Sequence, residues 1–179
     1  GTSKLFAEVA FEIAQDHGLL SKTNHLDTTS LSVHGEYDVH DQSKVIEVTH
    51  GFSKDHRPDL KQVVLSLVVN GPSALPLWME PLDGNSSDKV SFHETIKQVE
   101  KFRLQIDLDG HFKWIADSAL YTKDRLLKSN DYCWVTRVPE NITEAKKLVE
   151  KPFEGISWVT FDGGYKLSRF ESSYGGIKQ

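Results

Sequence analysis

The sequence predicts an α/β protein built on a mixed β-sheet with helices packed on its faces. Three observations lead there. Strand-like runs follow one another through the first half, at 24–34, 44–50, 62–70 and 75–82. Strand-like and helical runs then alternate between 88 and 149. Consecutive strands pair antiparallel through short turns, whereas strand–helix–strand alternation produces parallel neighbours, so the two halves together specify a mixed sheet. Finally, QVVLSLVVN at 62–70 is an almost continuous β-branched run, the pattern of a central strand buried on both faces.

In chain order, KLFAEVAFEIAQDH at 4–17 places Leu5, Phe6, Val9, Ala10 and Ile13 at helical spacing, with Gly18 as the stop. The first strand is expected over 24–34 and a short second one in KVIEVTH at 44–50. GFSKDHRPDL is a charged loop before the buried strand, and LPLWMEPL is a further extended piece ended by DGNSSD. Asp88 is expected to N-cap a helix whose apolar stripe is Ile96, Val99, Phe102 and either Leu104 or Ile106. FKWIADSAL reads as a strand running into a turn, and TKDRLLKSN as a short helix capped by Thr122, with Lys128 in its last turn. DYCWVTRV is another strand, ITEAKKLVE another helix, and the two runs around DGG in ISWVTFDGGYKLSRFES form a hairpin. Trp78 and Met79 read as core or edge packing.

Bulk composition narrows the function classes. With 179 residues, 38% hydrophobic and 26% charged, the chain suits one globular domain with a substantial core. No apolar run approaches a membrane span and no signal segment opens the chain. A net charge of −5 provides no global basic field. The single Cys133 lies in a strand-like run and is expected to be a buried, inert thiol. One cysteine makes no internal disulfide, which is compatible with a reducing, cytoplasmic location. The chain opens GTSK without an initiator Met and stops at GGIKQ without a closing element, which reads as a piece of a longer protein.

The chemistry begins with Asp27, set inside HLDTTSLSVHGEYD, where strand-forming residues surround a residue type depleted in strands. It is either a strand-edge aspartate bonded to the hydroxyls of Thr28 and Thr29 or a metal ligand on a sheet. Asp117 follows 90 residues later (117 − 27), at the end of FKWIAD where a strand gives way to a turn. Open α/β sheets place ligands outside the carboxyl ends of strands. If the two strands are neighbours, the two carboxylates form one cluster. Paired carboxylates suit Mg²⁺ through hard oxygen ligands and leave positions for water and substrate phosphates. The alternative for Asp117 is a cap on the turn that follows it.

DTTSLSVHGEY, then HGFSKDHRPDLKQVVLSLVVNGPSALPLWMEPLDGNSSD, then WIADSALYTKDRL resemble, in this order, bacterial insertion-sequence transposases of the DDE type. In that branch a β-rich insertion interrupts an RNase H-like catalytic domain. The resemblance covers residues 24–179, and the GFSKDHRPDLKQ block is its most specific part. It implies an RNase H-like mixed sheet with flanking helices, preceded by an N-terminal helical segment at 1–23. The catalytic core would span 24–155, and the start of the β-insertion 156–179. It further implies that Asp27 and Asp117 are the first two acidic residues of a metal-binding triad. The cofactor would be Mg²⁺ or Mn²⁺, and the substrates DNA transposon ends and target DNA, handled by a homodimer. The third acidic residue of the family is a glutamate on a later helix. Glu150, Glu154 and Glu171 are the late glutamates here, and none is assigned to that role. A chain with two of three carboxylates is expected to be inactive in strand transfer by itself.

Several other groups have both a functional and a structural reading. Lys54, Arg57 and Lys61, with His56, offer cations to DNA phosphates, while Asp55 or Asp59 pairing with Arg57 is the structural alternative. Lys123 and Arg125, with Lys128, either guide a DNA backbone past Asp117 or form a solvated helix face. The spacing of His34, His40, His50 and His56 matches no compact zinc site, His93–Glu94 is not an HExxH motif, and no GxSxG elbow supports a hydrolase. A decayed or repurposed domain that binds DNA or protein without catalysis is the alternative to an enzyme.

Overall fold

A computed structural model describes residues 1–37, 46–106, 108, 110–122, 126, 132–152 and 154–179, with the side chains of 88–90 outside the description. A helix α1 (Thr2–Asp16) leads into β1 (Thr23–Val33), β2 (Lys61–Asn70) and β3 (Pro76–Leu82). Helix α2 (Asp88–Gln105), β4 (Lys113–Ala116), β5 (Cys133–Thr136) and α3 (Thr143–Val149) follow. Two small hairpins close the chain, β6 (Val159–Thr160) with β7 (Lys166–Leu167) and β8 (Ser173–Tyr174) with β9 (Ile177–Lys178).

The main sheet has five strands in the order β3-β2-β1-β4-β5. β1, β2 and β3 form an antiparallel meander, and β4 and β5 are added parallel to β1. This is the RNase H-like mixed sheet that the resemblance implied. Its handover from antiparallel to parallel coincides with the change from successive strands to strand–helix alternation in the sequence.

The core lies on one face of the sheet. Leu26, Val68, Trp78 and Trp114 project from it into one apolar cluster with Phe92, Ile96, Val99 and Phe102 of α2 and Ala7, Ala10 and Phe11 of α1. Phe11 bridges the two helices to the sheet side, its ring 5.5 Å from that of Phe102 and 6.3 Å from that of Phe112. Small alanines at 7, 10 and 14 let α1 approach closely, which explains why Leu5, Val9 and Ile13, on its other side, remain exposed. Beneath the cluster, the almost fully buried Arg103 guanidinium donates from Nε to Glu100 Oε2 at 2.8 Å and from Nη1 to the Leu108 carbonyl, and Trp114 Nε1 donates to Glu100 Oε1 at 2.9 Å.

The opposite face carries His25, Asp27, Thr29 and Leu31 of β1 beside Val63, Leu65, Leu67 and Val69 of β2. These side chains are exposed or half-buried. QVVLSLVVN is therefore closed on one face and half-open on the other, rather than buried on both.

Other expectations are corrected. KVIEVTH is not a strand over its described part: only Thr49 bridges, to Gln62. β3 already occupies β2 from Val64 onward, so only the start of β2 is left to pair. The cap of α2 is Ser87, not Asp88, and its side chain makes no capping bond. Ile106, not Leu104, completes the apolar stripe, since Leu104 is 64% exposed. Cys133 is exposed, because β5 is an edge strand and the residue points to the open face opposite Lys113. Of TKDRLLKSN, Thr122 and a buried, helical Leu126 are described. The amides that the Thr122 hydroxyl would cap, at 124 and 125, lie outside the described residues. Lys128 lies outside the described residues.

Candidate active site

β1 is eleven residues long and β4 four, and their parallel ladder runs from Thr23↔Lys113 to Leu26↔Ala116. One further step in the same register sets Asp27 beside Asp117. Alternation along the two strands directs both toward the open face, since Leu26 and Trp114 belong to the core and His25 and Ile115 do not. Both aspartates are exposed. The sequence interval of 90 residues is thus the register of the ladder itself.

Each carboxylate is steadied by its own backbone. Asp27 Oδ1 accepts from the Thr28 N–H at 2.8 Å, and Asp117 Oδ1 from the Ala119 N–H at 2.8 Å, capping the 3₁₀ turn Ser118–Leu120. Of the two readings of Asp117, the cap on the turn is the one observed. The strand-edge alternative for Asp27 holds only for a backbone amide: among the described residues its carboxylate accepts from the N–H of Thr28, not from a threonine hydroxyl. The Thr136 hydroxyl donates to the Asp117 carbonyl, so β5 also holds this corner.

Two carboxylates from neighbouring strands are a hard-oxygen donor set that fits Mg²⁺ or Mn²⁺, with the remaining positions left to water and substrate. Among the described residues, no group of three or more His, Cys, Asp or Glu side chains forms around them or elsewhere.

The expected cations differ in their surroundings. Lys54 Nζ donates to the Thr28 carbonyl at 2.6 Å, which fixes an ammonium one residue from Asp27. Arg57 is engaged in a two-pronged pair with Asp59, at 2.9 Å from Nε to Oδ1 and 2.7 Å from Nη2 to Oδ2. Its hydrogen bond and charge pull the Asp59 carboxyl down to about 2. The structural alternative for Arg57 is therefore realised through Asp59. Lys61 Nζ reaches the Tyr37 carbonyl at 3.1 Å, at the far end of the β1–β2 hairpin from Asp27. Lys123 and Arg125 lie outside the described residues.

Sequence reasoning missed a cleft of about 310 Å³ along the edge of β1 beyond the end of β4. Thr28, Ser30, Phe52, Lys54 and the turn before α2 at Asn85–Ser87 line it, and Ala119 joins it to the Asp117 turn. Its walls are clasped by Gln62, which is 2% exposed and donates from Nε2 to the carbonyls of Phe52 (3.3 Å) and Gly84 (2.7 Å). A Cβ on Gly51 would lie 2.0 Å from the Gly84 carbonyl oxygen, so the two loops touch backbone to backbone. The paired glycines in HGF and DGN were the available signal.

No protein family and no curated protein matches the chain. Solved structures do. The chain is similar to the Mos1 transposase in its paired-end complex with the left transposon end (11% identity, 75% of this chain and 40% of that one, TM-score 0.40). It is similar to the piggyBac transposase in a synaptic complex with hairpin DNA (11% identity, 80% of this chain and 29% of that one, TM-score 0.48). It is also similar to the catalytic domain of the Mos1 mariner transposase (8% identity, 85% of this chain and 72% of that one, TM-score 0.40). The chain thus spans less than half of the first two proteins. The fold assignment itself stands on strand order and register.

Proposed function

We propose that the chain is catalytic-domain sequence of a DDE-type DNA transposase of the bacterial insertion-sequence kind, acting on DNA phosphodiesters with Mg²⁺ or Mn²⁺. The single observation that supports this most is the β1–β4 register, which ends at Leu26↔Ala116 and, continued by one step, would bring Asp27 and Asp117 side by side. Asp27 and Asp117 would hold the divalent ion, which when bound supplies charge neutralisation and an activated oxygen nucleophile.

The chain's own residues do the rest. The Thr28 and Ala119 amides fix the orientation of the two carboxylates, and Thr136 anchors the Asp117 backbone. Lys54 stands where a DNA phosphate next to the reacting one would lie, and Lys61 farther along the same hairpin would meet the backbone beyond it. Arg57 contributes through the guanidinium edge that Asp59 leaves open, and Lys123 and Arg125 would guide the strand past Asp117. In the reaction, water adds across one P–O bond and releases a 3′-hydroxyl. That hydroxyl then displaces a 3′-oxygen from a target phosphodiester, so one ester replaces another and no energy donor is needed. Transposon ends and target DNA are the partners in this reading, in a homodimer of the parent protein.

A second reading, a non-catalytic RNase H-like domain that binds DNA or protein, draws on the donor count: the described residues group no third carboxylate with the pair. Mn²⁺ titration by electron paramagnetic resonance separates the two. Asp27→Asn and Asp117→Asn should each weaken Mn²⁺ binding by tenfold or more, about 1.4 kcal/mol. Equal affinity in the wild type and both variants would sink the shared site. Nicking of DNA by the 179-residue chain with either ion would remove the expectation that it is inactive alone.

A further inference from the structure

The turn that carries Asp117 ends on an aromatic residue that the metal reading does not use. Tyr121 is 4% exposed and lies four residues after Asp117, with its N–H bonded to the Ser118 carbonyl at 3.1 Å. The Leu120 N–H bonds the Asp117 carbonyl at 3.2 Å, and the Ala119 N–H bonds the Asp117 carboxylate at 2.8 Å. Residues 117–121 thus close on themselves. A displacement of Tyr121 is passed directly to the amide that orients the carboxylate.

Tyr121 is gripped from two sides. Trp134 of β5 meets its ring edge-on, with centroids 6.4 Å apart. The other grip comes from the β8–β9 hairpin, which is not part of the main sheet. The Tyr174 ring lies 4.8 Å from that of Tyr121, and the Tyr121 hydroxyl donates to Gln179 Oε1 at 2.8 Å. The hairpin is a preset unit: Gly175 and Gly176 have φ of +58° and +92°, the pair of positive values that a two-residue I′ turn demands. Ser172 and Gln179 exchange two backbone bonds of 2.9 Å, and Gln179 Nε2 donates to Ser172 Oγ at 3.0 Å. The Gln179 side chain therefore ties the hairpin to the Tyr121 hydroxyl.

A two-stranded hairpin is marginal in water without a support. Ser172 and Gln179 share the lining of a groove of about 790 Å³ with Ala145, Leu148 and Val149, so the hairpin is not closed down on α3. Tyr121 is its seat on the body of the molecule. Burial alone would be served by any ring at this position; the hydroxyl, aimed at a fixed amide, sets the ring's orientation as well.

We propose that the β8–β9 hairpin is a positioning element for Asp117: Tyr174 and Gln179 fix Tyr121, and Tyr121 holds the 117–121 turn in the form that presents the carboxylate. The functional half of this rests on the reading of Asp117 as a metal ligand, whereas the coupling of hairpin to carboxylate does not. Tyr121, Tyr174 and Gln179 are positioning residues that act through Asp117.

The test follows, by NMR of the 179-residue chain in EDTA, hydrogen exchange of the Ala119 amide held by Asp117, with the Thr28 amide held by Asp27 as the internal reference. Tyr174→Ala should speed exchange at Ala119 about threefold or more, the size expected for one lost ring pair, and leave Thr28 within about 1.5-fold of the wild type. Tyr174→Phe, which keeps the ring, should leave both amides within about 1.5-fold. Tyr121→Phe keeps the ring contacts and removes the hydroxyl, and should speed Ala119 about twofold to threefold. Tyr174 is half-buried, so its variants keep the fold, which circular dichroism checks. In Mn²⁺ titration, Tyr174→Ala should weaken binding about threefold and Tyr174→Phe should match the wild type. The proposal fails if Ala119 exchange in Tyr174→Ala stays within about 1.5-fold, or if Ala119 and Thr28 accelerate alike, which would mark general loosening. Faster Ala119 exchange with unaltered Mn²⁺ affinity removes the functional half. If Asp27→Asn and Asp117→Asn bind Mn²⁺ as the wild type does, the metal reading fails, and the amide result still decides the coupling.

Discussion

The Asp59 carboxyl titrates at about 2, against 3.8 for an unperturbed aspartate, first because Arg57 donates hydrogen bonds to it and further because of the guanidinium charge. A carboxyl depressed by folding contributes stability that is complete above the unfolded value and is lost as pH falls through the folded one. The window is therefore from about pH 4 down to about pH 2. Both groups are solvent-exposed, so the expected energetic effect is small and the titration itself is the useful readout. Carboxyl NMR should find the Asp59 midpoint near 2, and Arg57→Gln should return it toward 3.8. A wild-type midpoint already near 3.8 would mean that the pair does not persist in solution. The same pair commits two of the Arg57 donors, whereas Lys54 is held on the Thr28 carbonyl.

Among elements, the contact between the 46–53 loop and the 83–87 turn decides whether the cleft exists. Gly51 and Gly84 leave no room for a methyl group: a Cβ on Gly84 would meet the Gln62 carbonyl oxygen at 2.0 Å. Gly51→Ala should cost about 1–3 kcal/mol in urea denaturation, the usual penalty of overpacking against atoms that cannot move. An unaltered midpoint would show that the loops separate freely. This contact also shows where sequence reading stops. Strands and helices were legible because alternation and helical spacing are local, as in QVVLSLVVN and in the stripe Ile96, Val99, Phe102. Asp27 and Asp117 were legible as a pair because their interval matched a plausible ladder and their flanks carried a resemblance. The absence of a strand over the described part of KVIEVTH, 46–50, depends on β3 having taken the neighbouring edge, which no local pattern encodes. Exposure of Cys133 likewise follows from β5 being last in the sheet. The cleft needed two loops, 32 residues apart at their glycines (84 − 51), to meet through one glutamine.

For the molecule as a whole, the core joins the N-terminal helix to the sheet as one cooperative unit. Phe11 is 1% exposed and stands between Phe102 of α2 and Phe112, just before β4. Phe11→Ala should lower stability by about 3–5 kcal/mol in a single urea transition. Fraying of α1 alone, with the rest unchanged, would instead make it an appendage. Among the described residues no helix is long and apolar enough to cross a membrane. The asymmetry of the sheet, with one face under two helices and the other carrying the carboxylates, is the main large-scale fact about this chain. It leaves Asp27 and Asp117 exposed on the uncovered face.

The four-residue ladder between β1 and β4 has a kinetic meaning as well. Asp27 and Asp117 meet only after the chain has closed a loop of 90 residues (117 − 27), an entropic cost on the order of 4 kcal/mol. The antiparallel β1–β2 pairing closes only the 27-residue connection 34–60, about 1 kcal/mol less on the same scale, so the strand of Asp27 is favoured to pair before that of Asp117. An ion held by both, as proposed, would be a reversible cross-link, drawing its strength from the native sheet and returning it as resistance to opening.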